Sequence, residues 1–297
     1  MCVYLSLRLI ELLLFLVKVM LSVRTLAKAV HLTRQTGFPR LVFTRVVRTH
    51  TPTYPIWLWE LPITERLKLL AGPAVFTASV GIVTYALAEA QKPPKTHEKN
   101  EQNNSKNILL AAAVGINTLV FAMWKIPSRP LKLFLWNYMS SNLYKTVPRR
   151  TFSMLGCMFS QYKPPHIAVN MAVLWVLLEK LPEDDFFKTI HIYVAGGVTA
   201  AFVSYLCMAI HPALRGASVG ASGANLALFG YIAGKYPDES ISIPFLNDIY
   251  PHSISAQTIL WMSVIFDAGG LFRGWMALDH SSHLGGIIFG WLKGILD

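Results

Sequence analysis

The chain has 297 residues, of which 53% are hydrophobic and only 14% are charged. Soluble domains carry about a quarter charged residues, so this composition predicts a polytopic membrane protein and argues against a soluble enzyme. The formal net charge is +11. In a membrane protein such an excess reports sidedness, so we expect no nucleic-acid partner. The scattered cysteines Cys2, Cys157 and Cys207 support neither a disulfide framework nor a zinc site.

The N-terminal region is basic and almost free of acids. Its first 50 residues hold a single acid, Glu11, against these basic residues: Arg8, Lys18, Arg24, Lys28, Arg34, Arg40, Arg45 and Arg48. Such a composition is typical of a mitochondrial import presequence, although the run from Leu5 to Val23 could instead be a signal peptide or a first span. We assign residues 1–55 to a presequence and basic N-terminal region, and exclude them from the fold.

Seven apolar segments follow, and they predict an all-α fold. The first, Ala71–Ala90, is succeeded by a polar, proline-bearing stretch, so residues 56–107 are assigned to one extra span and a linker. Residues 108–297 hold six further apolar segments: 108–124, 166–181, 191–210, 219–233, 254–270 and 283–296. Several are shorter than the ~20 residues of a standard span. The predicted arrangement is one helix plus a core of six.

Loop charge predicts the orientation of these spans. The segment from Lys125 to Pro165 contains no acid, and the loops around Arg215 and Arg273 are also basic. The intervening loops are acidic or mixed. With seven spans, the basic loops fall on the same side as the basic N-terminus, as the positive-inside rule expects. In a mitochondrion that side is the matrix.

Four polar residues stand out near the starts of apolar helices. They are Ser222 in GASGA, His166 and Asn170 in HIAVN, and His283 in HLGGIIFG. Their helices alternate in the predicted bundle and therefore begin on the same side of the membrane. Peptide hydrolysis by serine needs a nucleophile, a base and oxyanion donors, and these residues supply one candidate for each role. His166 and Asn170, four residues apart, share one helical face.

Each residue also has a purely structural interpretation. A serine among small residues often serves close helix packing, a histidine at a helix mouth is often interfacial, and an asparagine in a span often bonds a neighbouring helix. Their joint occurrence on one side favours chemistry, because polar residues within a membrane are costly and tend to be functional. Ser218 fits G-x-S-x-G, but that motif requires a strand–turn–helix context, which this sequence lacks.

The three motifs, in this order, resemble the signature elements of the rhomboid intramembrane serine proteases. The extra first span, the presequence and the DHSSHLGG context resemble the mitochondrial presenilin-associated rhomboid-like branch. The resemblance implies that Ser222 is the nucleophile and His283 the general base and acid of a dyad. It also implies an oxyanion hole formed by His166, Asn170 and the backbone N–H of Ser222.

Two positions qualify the resemblance. Leu226 occupies the place where many bacterial relatives have a tyrosine against the catalytic histidine, so the sequence does not say what orients the His283 ring. Asp279 lies one turn before His283; because the family works as a dyad, we interpret it as an interfacial charge.

The expected function is therefore an intramembrane serine endopeptidase of the mitochondrial inner membrane. We expect it to cleave single-pass transmembrane proteins in the lipid bilayer, with neither metal nor organic cofactor. The alternative is a catalytically inactive rhomboid-like protein that binds transmembrane helices. A transporter or channel would predict charged residues lining the bundle and internal repeats, and neither occurs in the sequence.

Overall fold

The structure is a computed structural model that describes residues 60–91, 99–181, 186–211, 214, 216–242, 253–275 and 277–297. The proposed presequence, residues 1–55, lies outside the described residues. The described chain is mostly helical, as the sequence predicts, with one short antiparallel hairpin between β1 (Ser240–Ile241) and β2 (Ile254–Ser255).

The helices are numbered in chain order. They are α1 (Ile63–Lys68), α2 (Ala71–Ala90), α3 (Lys99–Lys125), α4 (Arg129–Tyr138), α5 (Val147–Gly156), α6 (Pro164–Lys180), α7 (Phe186–Ile210), α8 (Ser222–Lys235), α9 (Ala256–Arg273) and α10 (His280–Leu296). A 3-10 turn, Cys157–Phe159, follows α5.

Three described helical segments are long and apolar enough to cross a membrane. They are Ile63–Ala90, Lys106–Lys125 and Phe186–Ile210. The last is largely buried, whereas the other two expose most of their surface, so α7 lies at the centre of the bundle. The predicted spans near residues 166, 219, 254 and 283 form helices of 17, 14, 18 and 17 residues. Their membrane crossing, and hence the one-plus-six arrangement, stays a prediction.

The closest helix packing joins α8 to α10. A Cβ added at Gly286 would overlap the carbonyl of Gly223, and one added at Gly290 would overlap the carbonyl of Ala227. Glycine at these positions lets the two backbones touch, as small residues do in membrane helix pairs. Leu228 on α8 and Ile287 on α10 are both buried in the main apolar cluster. This contact fixes the distance between the helix that bears Ser222 and the helix that bears His283.

The serine helix begins later than the predicted segment 219–233. Its first helical residue is Ser222, and Gly220 adopts φ +140°, a conformation that side chains other than glycine rarely tolerate. Before it, the chain is extended, and Ser218 exchanges two backbone hydrogen bonds with Ser141, at 2.8 and 2.9 Å. The expected helix is therefore broken at Gly220, which places Ser222 at a helix N-terminus.

Two connecting segments also differ from the sequence prediction. The linker assigned up to residue 107 is helical from Lys99, so α3 begins nine residues before the predicted span at 108. The basic segment from Lys125 to Pro165 is not a simple loop, since it contains α4 and α5. Both helices have only 10 residues and are amphipathic, so they do not stand out as long apolar segments.

The N-terminal helices dock on this scaffold through polar contacts. The hydroxyl of Thr84 on α2 lies 2.8 Å from Nδ1 of His191 on α7. Arg150 on α5 donates to the carbonyl oxygens of Leu69 (3.0 Å) and Lys145 (2.8 Å). The segment that holds α1 and α2 thus contacts α7 and α5.

Candidate active site

Ser222 and His283 meet at the α8–α10 contact. The hydroxyl oxygen of Ser222 lies 3.0 Å from Nε2 of His283, and both side chains are partly buried. Ser222 opens α8 and His283 lies in the first turn of α10. The two residues that the sequence proposes as nucleophile and base are therefore within hydrogen-bond distance.

Asp267 is a third member of this arrangement, and no sequence motif indicated it. Its Oδ1 lies 3.0 Å from Nδ1 of His283, and the residue is only 2% exposed, in the middle of α9. The signal was available, because Asp267 is the one acid within the apolar run 254–270. A carboxylate inside such a segment requires a partner and indicates a functional site.

The Asp267 contact determines which ring nitrogen of His283 faces the serine. A carboxylate can only accept, so the Nδ1–H of His283 donates to Asp267. Nε2 then carries the lone pair that accepts the Ser222 hydroxyl proton. This is the order of groups in a Ser-His-Asp triad, in which the acid fixes the tautomer and stabilises the imidazolium.

His280 secures the carboxylate from another direction. Its Nδ1 lies 2.7 Å from the same Oδ1 of Asp267, and the residue is buried. The His280 ring packs against Phe266 and Trp275, with centroid separations of 5.6 and 5.7 Å. Asp267 therefore orients the His283 ring, whereas Leu226, at the position of the tyrosine in many bacterial relatives, packs against the apolar core.

The cluster of Asp267, His280 and His283 has residue types that bind metals, and its ligand atoms lie within 4.8 Å of one another. Both histidines, however, contact Oδ1 directly at hydrogen-bond distance. A divalent ion with bonds of about 2.0 Å to each ligand would separate these atoms further. The arrangement is that of a hydrogen-bonded triad.

Asp279 does not face His283. It caps the N-terminus of α10, where its Oδ1 accepts from the backbone N–H of Ser282 at 3.0 Å and from the hydroxyl of Ser281 at 2.7 Å. Its Oδ2 accepts from the hydroxyl of Ser204 at 2.7 Å. These bonds give Asp279 a structural role at the helix end.

The proposed oxyanion donors occupy different places. The ring of His166 lies against Gly220, where an added Cβ would be 2.8 Å from its Cε1, and it lines the same cavity as Ser222. Asn170 is buried and is not among the described residues lining that cavity. Its Nδ2 donates to Gln161 Oε1 and to the carbonyl of His166, each at 3.1 Å. The structure therefore places His166 in the same cavity as Ser222, whereas Asn170 is buried behind the cavity wall.

A cavity of about 410 Å³ opens in front of the triad. Its lining combines the polar groups of the site with apolar walls, among them Tyr162, Met208, Leu271, Trp275 and Leu278. Pockets of this size and character accept side chains of a bound ligand. The Ser222 hydroxyl is thus accessible to a peptide from one direction.

Comparisons with known proteins agree with the motifs. A family model described as the rhomboid domain matches residues 148–297. The chain is 34% identical over 181 residues to Presenilin-associated rhomboid-like protein A, mitochondrial, of Danio rerio, which covers 60% of this chain and 44% of that protein. The Mus musculus presenilin-associated rhomboid-like protein, mitochondrial, is 33% identical over 60% of this chain and 45% of its own length.

A more distant relative is Rhomboid protein 1, mitochondrial, of Saccharomyces cerevisiae. It is 30% identical over 207 residues, which are 68% of this chain and 56% of that protein. The match therefore spans about half the length of these curated relatives or less. No solved structure matches the chain.

Proposed function

The chain belongs to the rhomboid family, and we propose that it is an intramembrane serine endopeptidase. The observation that carries the proposal is the 3.0 Å contact between Ser222 Oγ and His283 Nε2, with Asp267 on the opposite ring nitrogen. The mitochondrial relatives and the membrane-length helices support a multi-pass protein of a mitochondrial membrane. We assign it to the inner membrane, with one N-terminal span before a six-helix core.

The proposed reaction begins with attack of Ser222 Oγ on the scissile carbonyl carbon. His283 Nε2 takes the hydroxyl proton as the bond forms, and Asp267 stabilises the resulting imidazolium. When the tetrahedral intermediate collapses, His283 returns that proton to the leaving amine. A water molecule then attacks the acyl-enzyme, with His283 again as base, and releases the second product.

The developing oxyanion needs preorganised donors. The backbone N–H of Ser222 lies in the first turn of α8, where helical N–H groups lack a partner within the helix and the helix dipole favours negative charge. His166 lines the same cavity and supplies a ring N–H. Asn170 is the third proposed donor, and its side chain must exchange one of its present hydrogen bonds to serve.

The proposed substrates are single-pass transmembrane proteins. A peptide bond inside a regular helix is shielded by its own hydrogen bonds, so a substrate helix must unwind locally before its carbonyl reaches Ser222. Residues that weaken a helix near the cleavage site should therefore favour hydrolysis. In this proposal the cavity in front of the triad holds the water for hydrolysis. An unwound substrate segment is tolerated at membrane depth only if it lies in such a water-filled cavity or is buried in protein.

The test is cleavage of a single-pass membrane substrate by the purified full chain in liposomes, with fragments identified by mass spectrometry. Ser222→Ala and His283→Ala should abolish cleavage while retaining the unfolding profile of the wild type. Ser240→Ala, an exposed serine on the β1–β2 hairpin, is the matched control and should cleave normally. If wild type and Ser222→Ala bind the substrate but neither cleaves it, the chain is a helix-binding rhomboid-like protein and the catalytic proposal fails.

A further inference from the structure

Four buried side-chain amides form a directional chain behind the active site. Asn225 Nδ2 donates to Asn170 Oδ1 (3.3 Å), Asn170 Nδ2 to Gln161 Oε1 (3.1 Å), and Gln161 Nε2 to Asn117 Oδ1 (2.7 Å). Asn117 Nδ2 ends the chain on the backbone carbonyl of Ala113 (2.8 Å). All four amides are at most 5% exposed. We call this set the amide relay.

The direction of the relay is fixed at one end. The carbonyl of Ala113 can only accept, so Asn117 must present its nitrogen there and its oxygen to Gln161. Reversing Gln161 or Asn170 would set donor against donor at one contact and acceptor against acceptor at the other. Reversing Asn225 would set its oxygen against the backbone and side-chain oxygens of Asn170, to which its nitrogen now donates at 2.9 and 3.3 Å. Each amide is therefore held in a single orientation. At the other end, Asn225 Oδ1 finds no hydrogen-bond partner among the described residues, as expected for a group that only starts the chain.

The relay leaves Asn170 with one exchangeable hydrogen. One amide hydrogen is committed to Gln161 and the other to the carbonyl of His166. That carbonyl lies four residues back on α6 and already accepts the backbone N–H of Asn170 in a regular helix. Its second hydrogen bond can therefore be given up without leaving a buried group unsatisfied, whereas breaking the Gln161 bond would orphan a buried amide.

We infer that Gln161 and Asn117 are positioning residues for the proposed oxyanion hole. One amide hydrogen of Asn170 stays bonded to Gln161. The other amide hydrogen can exchange its bond to the His166 carbonyl for a bond to the oxyanion. It joins α3, the segment before α6, α6 itself and α8, so it sets the oxyanion donors against the serine helix. This inference rests on the proposed protease function.

A buried amide network could also serve stability alone, since satisfied networks rigidify a core. The chain offers a matched control for that possibility. Ser160 precedes Gln161, is fully buried and accepts a hydrogen bond from Trp124 Nε1 at 2.9 Å. It thus ties the same segment to the same helix, α3, without belonging to the relay.

The experiment compares Gln161→Met, Asn117→Leu and Ser160→Ala in the full chain, with kcat, KM and thermal unfolding measured for each. Both relay variants should lose about ten- to a hundredfold in kcat with KM nearly unchanged, because a displacement of about 1 Å at a reacting group can cost a hundredfold. Ser160→Ala should keep kcat within about threefold. If Gln161→Met does not fold, Asn117→Leu carries the test, because it keeps the Gln161 side chain but removes the group that fixes the orientation of the Gln161 amide.

A double-substitution cycle separates positioning from packing. If Gln161 acts through Asn170, then Gln161→Met should cause no further loss of kcat when added to Asn170→Ala. The inference is overturned if the two losses multiply, if Asn170→Ala retains full kcat, or if the relay variants behave like Ser160→Ala. Failure of the protease proposal itself has a different signature, because wild type and Ser222→Ala would then be indistinguishable.

Discussion

Asp267 Oδ1 contacts Nδ1 of His283 on the side of the ring opposite Ser222. This relationship connects α9 to the α8–α10 contact and turns a pair of residues into a linear array of three. It also explains why a carboxylate is tolerated within an otherwise apolar helix, because Asp267 has two histidine donors.

Replacing Asp267 with asparagine should reduce kcat by a hundredfold or more, provided that the chain is a protease. An amide nitrogen facing Nδ1 would favour the tautomer that places the proton on Nε2, where it cannot accept from Ser222. The corresponding change in the serine protease triad costs about 10⁴ in kcat. Steady-state kinetics on a single-pass substrate measures the loss.

The control for this substitution is Asp279→Asn. Asparagine caps a helix N-terminus about as well as aspartate. The free energy of unfolding should therefore change by no more than about 0.5 kcal/mol, and kcat should fall far less than in Asp267→Asn. Equal losses of kcat in the two variants would show that Asp267 contributes to folding and not to the orientation of His283.

The contrast between Ser222 and Asp267 shows what sequence can reveal. Ser222, His283 and His166 stand in short motifs, so their approach could be anticipated from helix order and sidedness. Asp267 belongs to no motif, and its partners are 13 and 16 residues away on another helix. Asp267 meets these histidines only because α9 packs against α10, and that packing depends on contacts between residues far apart in the sequence.

The start of the serine helix was also set by a contact between distant residues. Composition indicated an apolar segment from residue 219, but the helix begins at Ser222 because Ser218 pairs with Ser141, a residue far away in the chain. The amide relay was hidden for the same reason, since Asn117, Gln161 and Asn225 lie on separate elements.

A methyl group at Gly286 should separate the two catalytic candidates. Its Cβ would overlap the carbonyl of Gly223, directly after Ser222, so α10 must move away from α8. We expect Gly286→Ala to cost about 1–3 kcal/mol in stability, as overpacked sites do, and about a hundredfold in kcat. Thermal unfolding and initial-rate measurements report the two effects.

Gly269→Ala on α9 is the matched control. A Cβ there meets nothing within 4 Å in the described structure, so this variant should be neutral or more stable by about 0.5–1 kcal/mol. Full activity of Gly286→Ala would contradict the view that backbone contact between α8 and α10 sets the Ser222–His283 distance.

Arg150 should be essential for docking of the N-terminal helices, whereas the adjacent Arg149 should be dispensable. The buried guanidinium donates to Leu69 and Lys145, and its loss leaves both carbonyls without that donor. Hydrogen bonds from charged groups contribute about 1.5–3 kcal/mol each, so Arg150→Met should lower stability by about 3 kcal/mol or more.

Arg149 is exposed, and Arg149→Met should change stability by no more than about 0.5 kcal/mol. Denaturant titration followed by tryptophan fluorescence compares the two variants. A similar midpoint for both would show that the contact between Arg150 and Leu69 does not hold the N-terminal segment in place.

Orientation can be tested at two exposed charges, Arg129 on α4 and Asp238 before β1. The first belongs to the acid-free segment that the positive-inside rule assigns to the matrix, and the second to a mixed loop on the opposite side. In mitochondria stripped of their outer membrane, a membrane-impermeant maleimide should label Asp238→Cys at once. It should label Arg129→Cys only after detergent is added.

The parent chain for this experiment carries Cys2→Ser, and its remaining cysteines, Cys157 and Cys207, are buried and should stay unlabelled. The result bears on the site itself, because Lys125 at the end of α3 donates to the carbonyl of Tyr162, which lines the cavity. Labelling at Arg129 therefore reports the side from which water and substrate reach Ser222. The reverse pattern would place the cavity towards the intermembrane space and show that import through the presequence overrides loop charge in this protein.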